Sequence, residues 1–425
     1  VRLIRPFRAW RPAVARAAEV LAPPYDVMST AEARAMAHGR LSNFLHVSRA
    51  EIDLPESADP HGPEVYELAH ANFTALIRDA VLRRDPTDGF YVYRLAAGAQ
   101  VQTGLVVAAS LQAYRDQRIK RHELTRPDKQ ADRARHIARL GAQTGPAMLA
   151  YPDAPRIDRL IAECSAGRPE TEVTGADGVV HSIWPIFEPD RLEALQREFD
   201  ALPTLYIADG HHRTAAAEHV ANERRSRQTD PVRWDGFLAV AFPHHAMRIL
   251  DYNRLVGDLN GLTESAFLAA LGEHFAVSEC DAPARPRGTR EFGLYLPGRW
   301  FRLRAHAAAC ARPYAAAGLD TATGLDPAAG LDVSLLSRVV LGPILGIRDL
   351  RRDSRIEFVG GRRSLAEIEE RVQGGMAAAF VVHPCAMTDL MAIADQGGIM
   401  PPKSTWFEPK LADGLVSLAL DSDLG

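Results

Sequence analysis

Short apolar strand-like runs alternate with amphipathic and alanine-rich stretches at mixed spacing, which predicts an α/β or α+β fold. The length of 425 residues exceeds what one ordinary core organises, so more than one domain is expected. A 47% hydrophobic and 24% charged composition is that of a globular protein and excludes a disordered or fibrous chain.

The elements follow in order. Ser29 or Thr30 caps a helix reaching about His38, with Glu32 close behind the cap. The loop Asp53 to Pro63 leads into an amphipathic helix over Glu64 to Leu82, apolar at Val65, Leu68, Phe73, Leu76 and Ile77. Phe90 to Leu95 and Gly104 to Leu111 read as paired strands, Asp132 to Leu140 as a helix, and Met148 to Tyr151 as a strand. Ser165 to Gly178 reads as a turn-rich insertion. Leu202 to Ala208 is a short apolar strand, broken by Asp209-Gly210-His211-His212-Arg213 before an alanine-rich helix over Thr214 to Arg224. Phe237 to Phe242 is a buried strand, and Asp281 to Gly288, with two prolines, a linker or long hairpin. Helices follow at Leu331 to Leu341, Leu365 to Val372 and Thr388 to Asp395, with a strand at Phe380 to His383.

The formal charge of −4 gives no basic field for nucleic acid, and no helix-turn-helix is evident. The apolar runs are too short to span a bilayer, and the first residues lack a signal-peptide pattern, so a cytoplasmic protein without membrane partners is expected. Cys164, Cys280, Cys310 and Cys385 are scattered without CxxC spacing and read as reduced thiols.

Three segments are candidates for chemistry, each with a structural alternative: a helix cap with surface histidines at Asp209 to Arg213, a solvated charged loop at Ile119 to Lys129, and a proline-rich surface turn at Gly398 to Lys410. At Asp209 to Arg213 a strand breaks into a helix whose free N–H groups and dipole attract an anion such as phosphate. Gly210 permits close approach, His211, His212 and Arg213 add donors, and Asp209 is suited to Mg²⁺. Adjacent histidines diverge and make poor joint metal ligands. The second segment runs from Ile119 to Lys129. His122-Glu123 begins like an HExxH zinc motif, but Arg126 stands where the second histidine belongs. What remains is one carboxylate, Glu123, among Lys120, Arg121, His122, Arg126 and Lys129, able to stay ionised and act as a general base. The third is Gly398 to Lys410, where Lys403, Ser404 and Thr405 offer donors to a carboxylate or phosphate.

Lysine is nearly absent: the four lysines are Lys120, Lys129, Lys403 and Lys410, all within the second and third segments. A guanidinium does not replace a compact ammonium on a flexible stem, so these lysines mark positions to watch. Ala22-Pro23-Pro24-Tyr25-Asp26-Val27 and Ser42 to His46 read either as cleft lining or as structural turns, and His244-His245 as a strand end without a ligand role.

Ala22 to Val27, Ile207 to Arg213 and Met400 to Thr405 together resemble a large bacterial and archaeal family long catalogued as a domain of unknown function. Parts also resemble the smaller free L-serine kinases, whose core has a ParB/sulfiredoxin-like fold. The resemblance implies an α+β protein with a mixed-sheet core of that kind and additional N-terminal and C-terminal α/β regions. It implies residues 1–88 as an N-terminal region packing on the core, 89–250 as the nucleotide-binding core, and 251–425 as a C-terminal domain supplying the substrate loop. Lys120-Arg121-His122-Glu123 resembles the kinases' lysine-proline-histidine-glutamate segment, with Arg121 in place of proline, and so implies Glu123 as catalytic. Asp209 to Arg213 resembles their phosphate-holding turn, and Pro402 to Thr405 their serine-binding segment. The implied activity is phosphate transfer from ATP or ADP, with Mg²⁺ at a catalytic Asp209, to free L-serine or a similar hydroxyl compound. The competing expectation is a nucleotide-binding regulatory protein without net transfer.

Overall fold

The computed structural model describes residues 2–227, 235–310 and 326–420. The chain forms two compact units, Val1–Met247 with Pro409–Gly425, and Arg248–Glu408. Residues 1–88 lie in the same unit as residues 89–247.

The first unit is built on a nine-stranded mixed sheet. Its order is Ile119–Lys120, Leu205–Asp209, Ala147–Tyr151, Gly236–Pro243, Gln100–Ser110, Phe90–Ala97, Val180–Ile186 and Thr171–Thr174, with Ile4–Arg5 also on Gln100–Ser110. Two pairings are parallel, Leu205–Asp209 with Ile119–Lys120 and Gly236–Pro243 with Ala147–Tyr151; the others are antiparallel. A mixed, mostly antiparallel sheet together with helices makes the fold α+β. Val92, Leu105, Val107, Leu149, Ile207 and Ala239 fill the core on this sheet. A smaller sheet joins Leu82–Arg84, Ala9–Pro12, Ser417–Ala419 and Ala142–Gln143, so the last described strand pairs with one of the first. Where the chain leaves and re-enters this unit, Gln100 Nε2 donates to the Ala246 carbonyl (2.9 Å) and Gln102 Nε2 to that of Pro409 (3.4 Å).

Local signals explain several boundaries. The Thr30–Ala37 helix starts on a reciprocal cap: Ser29 Oγ accepts from Glu32 N–H (3.2 Å), and Glu32 Oε2 accepts from Ser29 N–H (2.8 Å). The Pro63–Arg78 helix stops before Leu82, because Ala80 turns to φ 54° and Leu82–Arg84 becomes a strand. Helices at Pro155–Cys164 and Pro189–Asp200 were not anticipated, and the expected insertion at Ser165 to Gly178 contains the edge strand Thr171–Thr174.

The second unit is a six-stranded antiparallel sheet in the order Phe275–Cys280, Arg299–Ala305, Glu291–Leu296, Ala378–Val382, Tyr252–Val256 and Ile356–Gly360. A pair, Ile249–Leu250 with Trp406–Phe407, stands beside it. The expected linker Asp281 to Gly288 folds back over the sheet. The Ala284 carbonyl lies where a Cβ on Gly293 would sit, at 1.9 Å, so only glycine fits there. Among the described residues no helix is long and apolar enough to cross a membrane.

Candidate functional site

The strand Leu205–Asp209 ends and the helix His211–Arg227 begins around one glycine. Gly210 has φ +92°, and a Cβ there would lie 3.0 Å from Ala147 Cα and 3.1 Å from Ala147 Cβ. Gly210→Ala therefore meets both backbone strain and a neighbouring strand. We expect it to lower stability by about 1–3 kcal/mol, measured as a loss in the urea midpoint.

Asp209 holds this turn at both oxygens. Oδ1 accepts from the Gly210 N–H (2.9 Å), and Oδ2 meets Lys410 Nζ at 2.8 Å. Burial works against the charge of Asp209, but Lys410 and Arg213 outweigh it and hold its carboxyl well below the ordinary range. Burial likewise opposes the charge of Lys410, and Asp209 and Asp26 raise its pKa regardless. Lys410→Met should cost about 1.5–3 kcal/mol. In a double-mutant cycle with Asp209→Asn, the two losses should be strongly non-additive; strict additivity would mean the pair contributes nothing.

Arg213, one turn into the helix, donates to the Pro146 carbonyl and lies 3.6 Å from Asp26. Burial alone would lower its pKa, yet Asp26 and Asp209 raise it. Within Ala22 to Val27, Tyr25 lines a cleft, while Ala22 takes the structural alternative in a backbone bridge to Asp413. Tyr25 faces the Arg133 guanidinium at 4.2 Å, and Ala22 and Asp413 exchange backbone hydrogen bonds of 3.2 and 2.9 Å. The cleft is lined by Tyr25, Ser48, Arg133, Thr144, Arg213 and Asp413 among others. Asp413 is only 2% exposed, and its Oδ1 has no hydrogen-bond partner. Burial pushes its carboxyl up to about 7, against the pull of Arg213. Ser42 to His46 takes the structural alternative, with Asn43 Nδ2 donating to the Leu21 carbonyl (3.1 Å).

The segment Lys120 to Glu123 meets the helix start. Strand Ile119–Lys120 runs parallel to Leu205–Asp209, with Lys120 opposite Tyr206. This delivers His122 and Glu123 to the same sheet edge as Asp209 to Arg213. The His122 N–H donates to His211 Nε2 (3.4 Å), and the two rings stand edge to face with centroids 4.4 Å apart. The Arg126 N–H donates to His212 Nε2 (3.0 Å). Burial lowers the His122 pKa to about 4 and drives His211 well below the usual histidine range, so both imidazoles are neutral at pH 7. One ligand atom from each of His122, Glu123 and His211 lies within 4.8 Å of the others.

Lys403, Ser404 and Thr405 belong to the second unit. Lys403 has φ +58°, its carbonyl accepts from Arg254 Nη2 (3.2 Å), and its ammonium stands 5.6 Å from the Tyr252 ring centroid. Ser404 Oγ is buried and donates to the Pro401 carbonyl (2.6 Å), while Thr405 is half-buried. Arg254 is fully buried, so the backbone contact it makes braces this loop. Sequence reasoning flagged Lys410 through lysine scarcity but did not connect it to Asp209. It missed Asp413 entirely, since nothing local distinguishes that aspartate.

The arrangement combines an anion-attracting helix start, a carboxylate held ionised and a second carboxylate, Glu123, beside the same turn. Among solved structures, the chain is similar to a free serine kinase in complex with AMP, at 14% identity and a TM-score of 0.36, covering 71% of this chain and 86% of that one. A conserved hypothetical protein from Pyrococcus furiosus gives 15% identity, coverage of 72% and 93%, and a TM-score of 0.35. SbnI from Staphylococcus aureus, with a C-terminal truncation, gives 10%, coverage of 75% and 90%, and 0.37. No curated protein matches the chain. The model of the family described as "Protein of unknown function (DUF1015)" matches residues 4–334, and the chain belongs to that family.

Proposed function

We propose that the protein is a small-molecule kinase transferring the terminal phosphoryl group of ATP or ADP to the hydroxyl of free L-serine. The observation that carries this is the meeting of two segments far apart in sequence, Lys120–Glu123 and Asp209–Arg213, at one sheet edge. A phosphoryl-transfer site needs a phosphate cradle and a group that takes the acceptor proton, and these segments supply one each.

The residues present fit the nucleotide and Mg²⁺. The first N–H groups of the helix, at His211 to Arg213, are those a phosphate would meet, and Arg213 supplies fixed positive charge. Asp209 is ionised, and its oxygens keep lone pairs beyond those used by Gly210 and Lys410, as a Mg²⁺ ligand requires. Bound there, the ion would neutralise phosphate oxygens. In the reaction, Glu123 takes the serine hydroxyl proton as the O–P bond forms. The bond from phosphorus to the bridging oxygen breaks, and ADP or AMP leaves with that electron pair. Lys403, Ser404 and Thr405 are the residues we assign to the substrate carboxylate or the phosphoserine product, following their resemblance to the kinases' serine-binding segment.

The test is incubation with Mg²⁺, ATP or ADP and a panel of hydroxyl amino acids, followed by mass spectrometry. O-Phospho-L-serine is the expected product. Tight nucleotide binding without phosphorylated product from any acceptor would replace this assignment with a nucleotide-binding regulator.

A further inference from the structure

We propose that His122, Glu123 and His211 form a binding site for a resident first-row transition-metal ion, separate from the Mg²⁺ that accompanies a nucleotide at Asp209. The site stands on its ligand set; any part it plays in turnover rests on the phosphotransfer assignment.

The first observation is His122 itself. Its side chain sits in a residue only 1% exposed, and neither Nδ1 nor Nε2 makes a well-formed hydrogen bond, although the Ile207 carbonyl lies close enough to interact with the ring. Leaving a buried polar group unsatisfied is costly, and folded proteins pair nearly all of them with protein, water or an ion. The second observation is the company it keeps. Atoms from Glu123 and His211 lie within 4.8 Å of a His122 ring nitrogen and of each other, and His211 is 6% exposed. Two imidazoles and one carboxylate are a ligand set for Zn²⁺, Co²⁺ or Mn²⁺, whereas Mg²⁺ prefers oxygen alone.

Spacing along the chain concealed this set. The expected partner four residues beyond His122 is Arg126, and the second histidine comes instead from the start of the His211–Arg227 helix. The bond from His122 N–H to His211 Nε2 is long at 3.4 Å and easily exchanged for a metal contact. Three protein ligands leave a coordination position open, which a phosphate oxygen or water would complete. Glu123 has two carboxylate oxygens, so one can ligate while the other receives a proton.

The experiment is titration of the full chain, without nucleotide, with Co²⁺ and Zn²⁺, read by calorimetry and by the visible absorption of Co²⁺. Expected are one ion per chain, Co²⁺ bands of a nitrogen and oxygen site, and affinity for Zn²⁺ at least 100-fold above that for Mg²⁺. Glu123→Gln should weaken binding at least 10-fold and His122→Ala should abolish it, while Asp209→Asn leaves it within 3-fold. Circular dichroism of each variant separates lost binding from lost folding, and Glu123→Gln, at a half-buried position, carries the test if His122→Ala does not fold. The proposal is overturned if no ion binds. It is also overturned if binding survives Glu123→Gln and His122→Ala but disappears in His245→Ala. That outcome would place the ion at the exposed group of Asp153, His244 and His245. Because no nucleotide or serine is present, failure here and failure of the kinase assay are independent results.

Discussion

Glu123→Gln lowers turnover of the proposed phosphotransfer by about 10²–10⁴-fold, the range a positioned general base contributes. The substitution keeps the shape of the side chain and removes its carboxylate charge, and with it the capacity to accept the serine proton. Nucleotide affinity, measured separately by titration without metal, should change little. Asp209 to Arg213 are the proposed phosphate cradle, and the bonds of Asp209 to Gly210 and Lys410 and the Arg213–Asp26 pair do not involve Glu123. A loss in kcat with an unchanged nucleotide Kd is therefore the expected signature. Near-normal turnover in this variant would remove Glu123 from the mechanism.

The second large effect concerns stability and pH. Asp413 titrates near 7 in the folded chain against an ordinary value of 3.8, because burial disfavours its charge. Below about pH 3.8 the group is neutral in both folded and unfolded chains and costs nothing. As pH rises from there to about 7, the unfolded chain releases the proton while the folded chain retains it, so stability falls. Above about 7 the full penalty is present, at most about 4 kcal/mol. Asp413→Asn should therefore be more stable than the parent at pH 8, by up to that amount, and equal to it at pH 3.5. Urea midpoints at the two pH values check this, and equal shifts at both would refute it. The buried histidines His122, His136 and His181 act in the opposite sense. Burial lowers each to about 4, so the stability they contribute above pH 6.5 is lost as pH falls towards 4.

The legible parts of this protein were those with local causes. An apolar run, a glycine and an alanine-rich stretch announced the turn at Asp209 to Arg213, and the Ser29–Glu32 cap announced a helix start. The helices at Pro155–Cys164 and Pro189–Asp200 went unseen for a local reason too. Each opens on a proline, a good first helical residue that in isolation reads as a break. The strands Phe275–Cys280, Glu291–Leu296 and Arg299–Ala305 went unassigned, the first because an edge strand with mostly outward side chains has little apolar pattern to read. At the site, long-range pairing was the obstacle. Composition singled out Lys410, but only the fold brings it to Asp209, 201 positions away in sequence. Likewise, the histidine that completes the set around His122 arrives 89 positions downstream, where no spacing rule looks.

The hydrogen bonds from Gln100 and Gln102 have a consequence for gene architecture. Departure at Ala246 and return at Pro409 are both fastened to one strand, at positions two residues apart, a separation of about 7 Å. Closely spaced exit and entry points are those at which one domain can be inserted into another without breaking its host. Replacing Arg248–Glu408 by a short glycine–serine bridge would leave the host sheet's connectivity intact and keep Lys410 and the Ser417–Ala419 strand on the same polypeptide. The bridged chain should keep the first unit folded, which its circular dichroism would check.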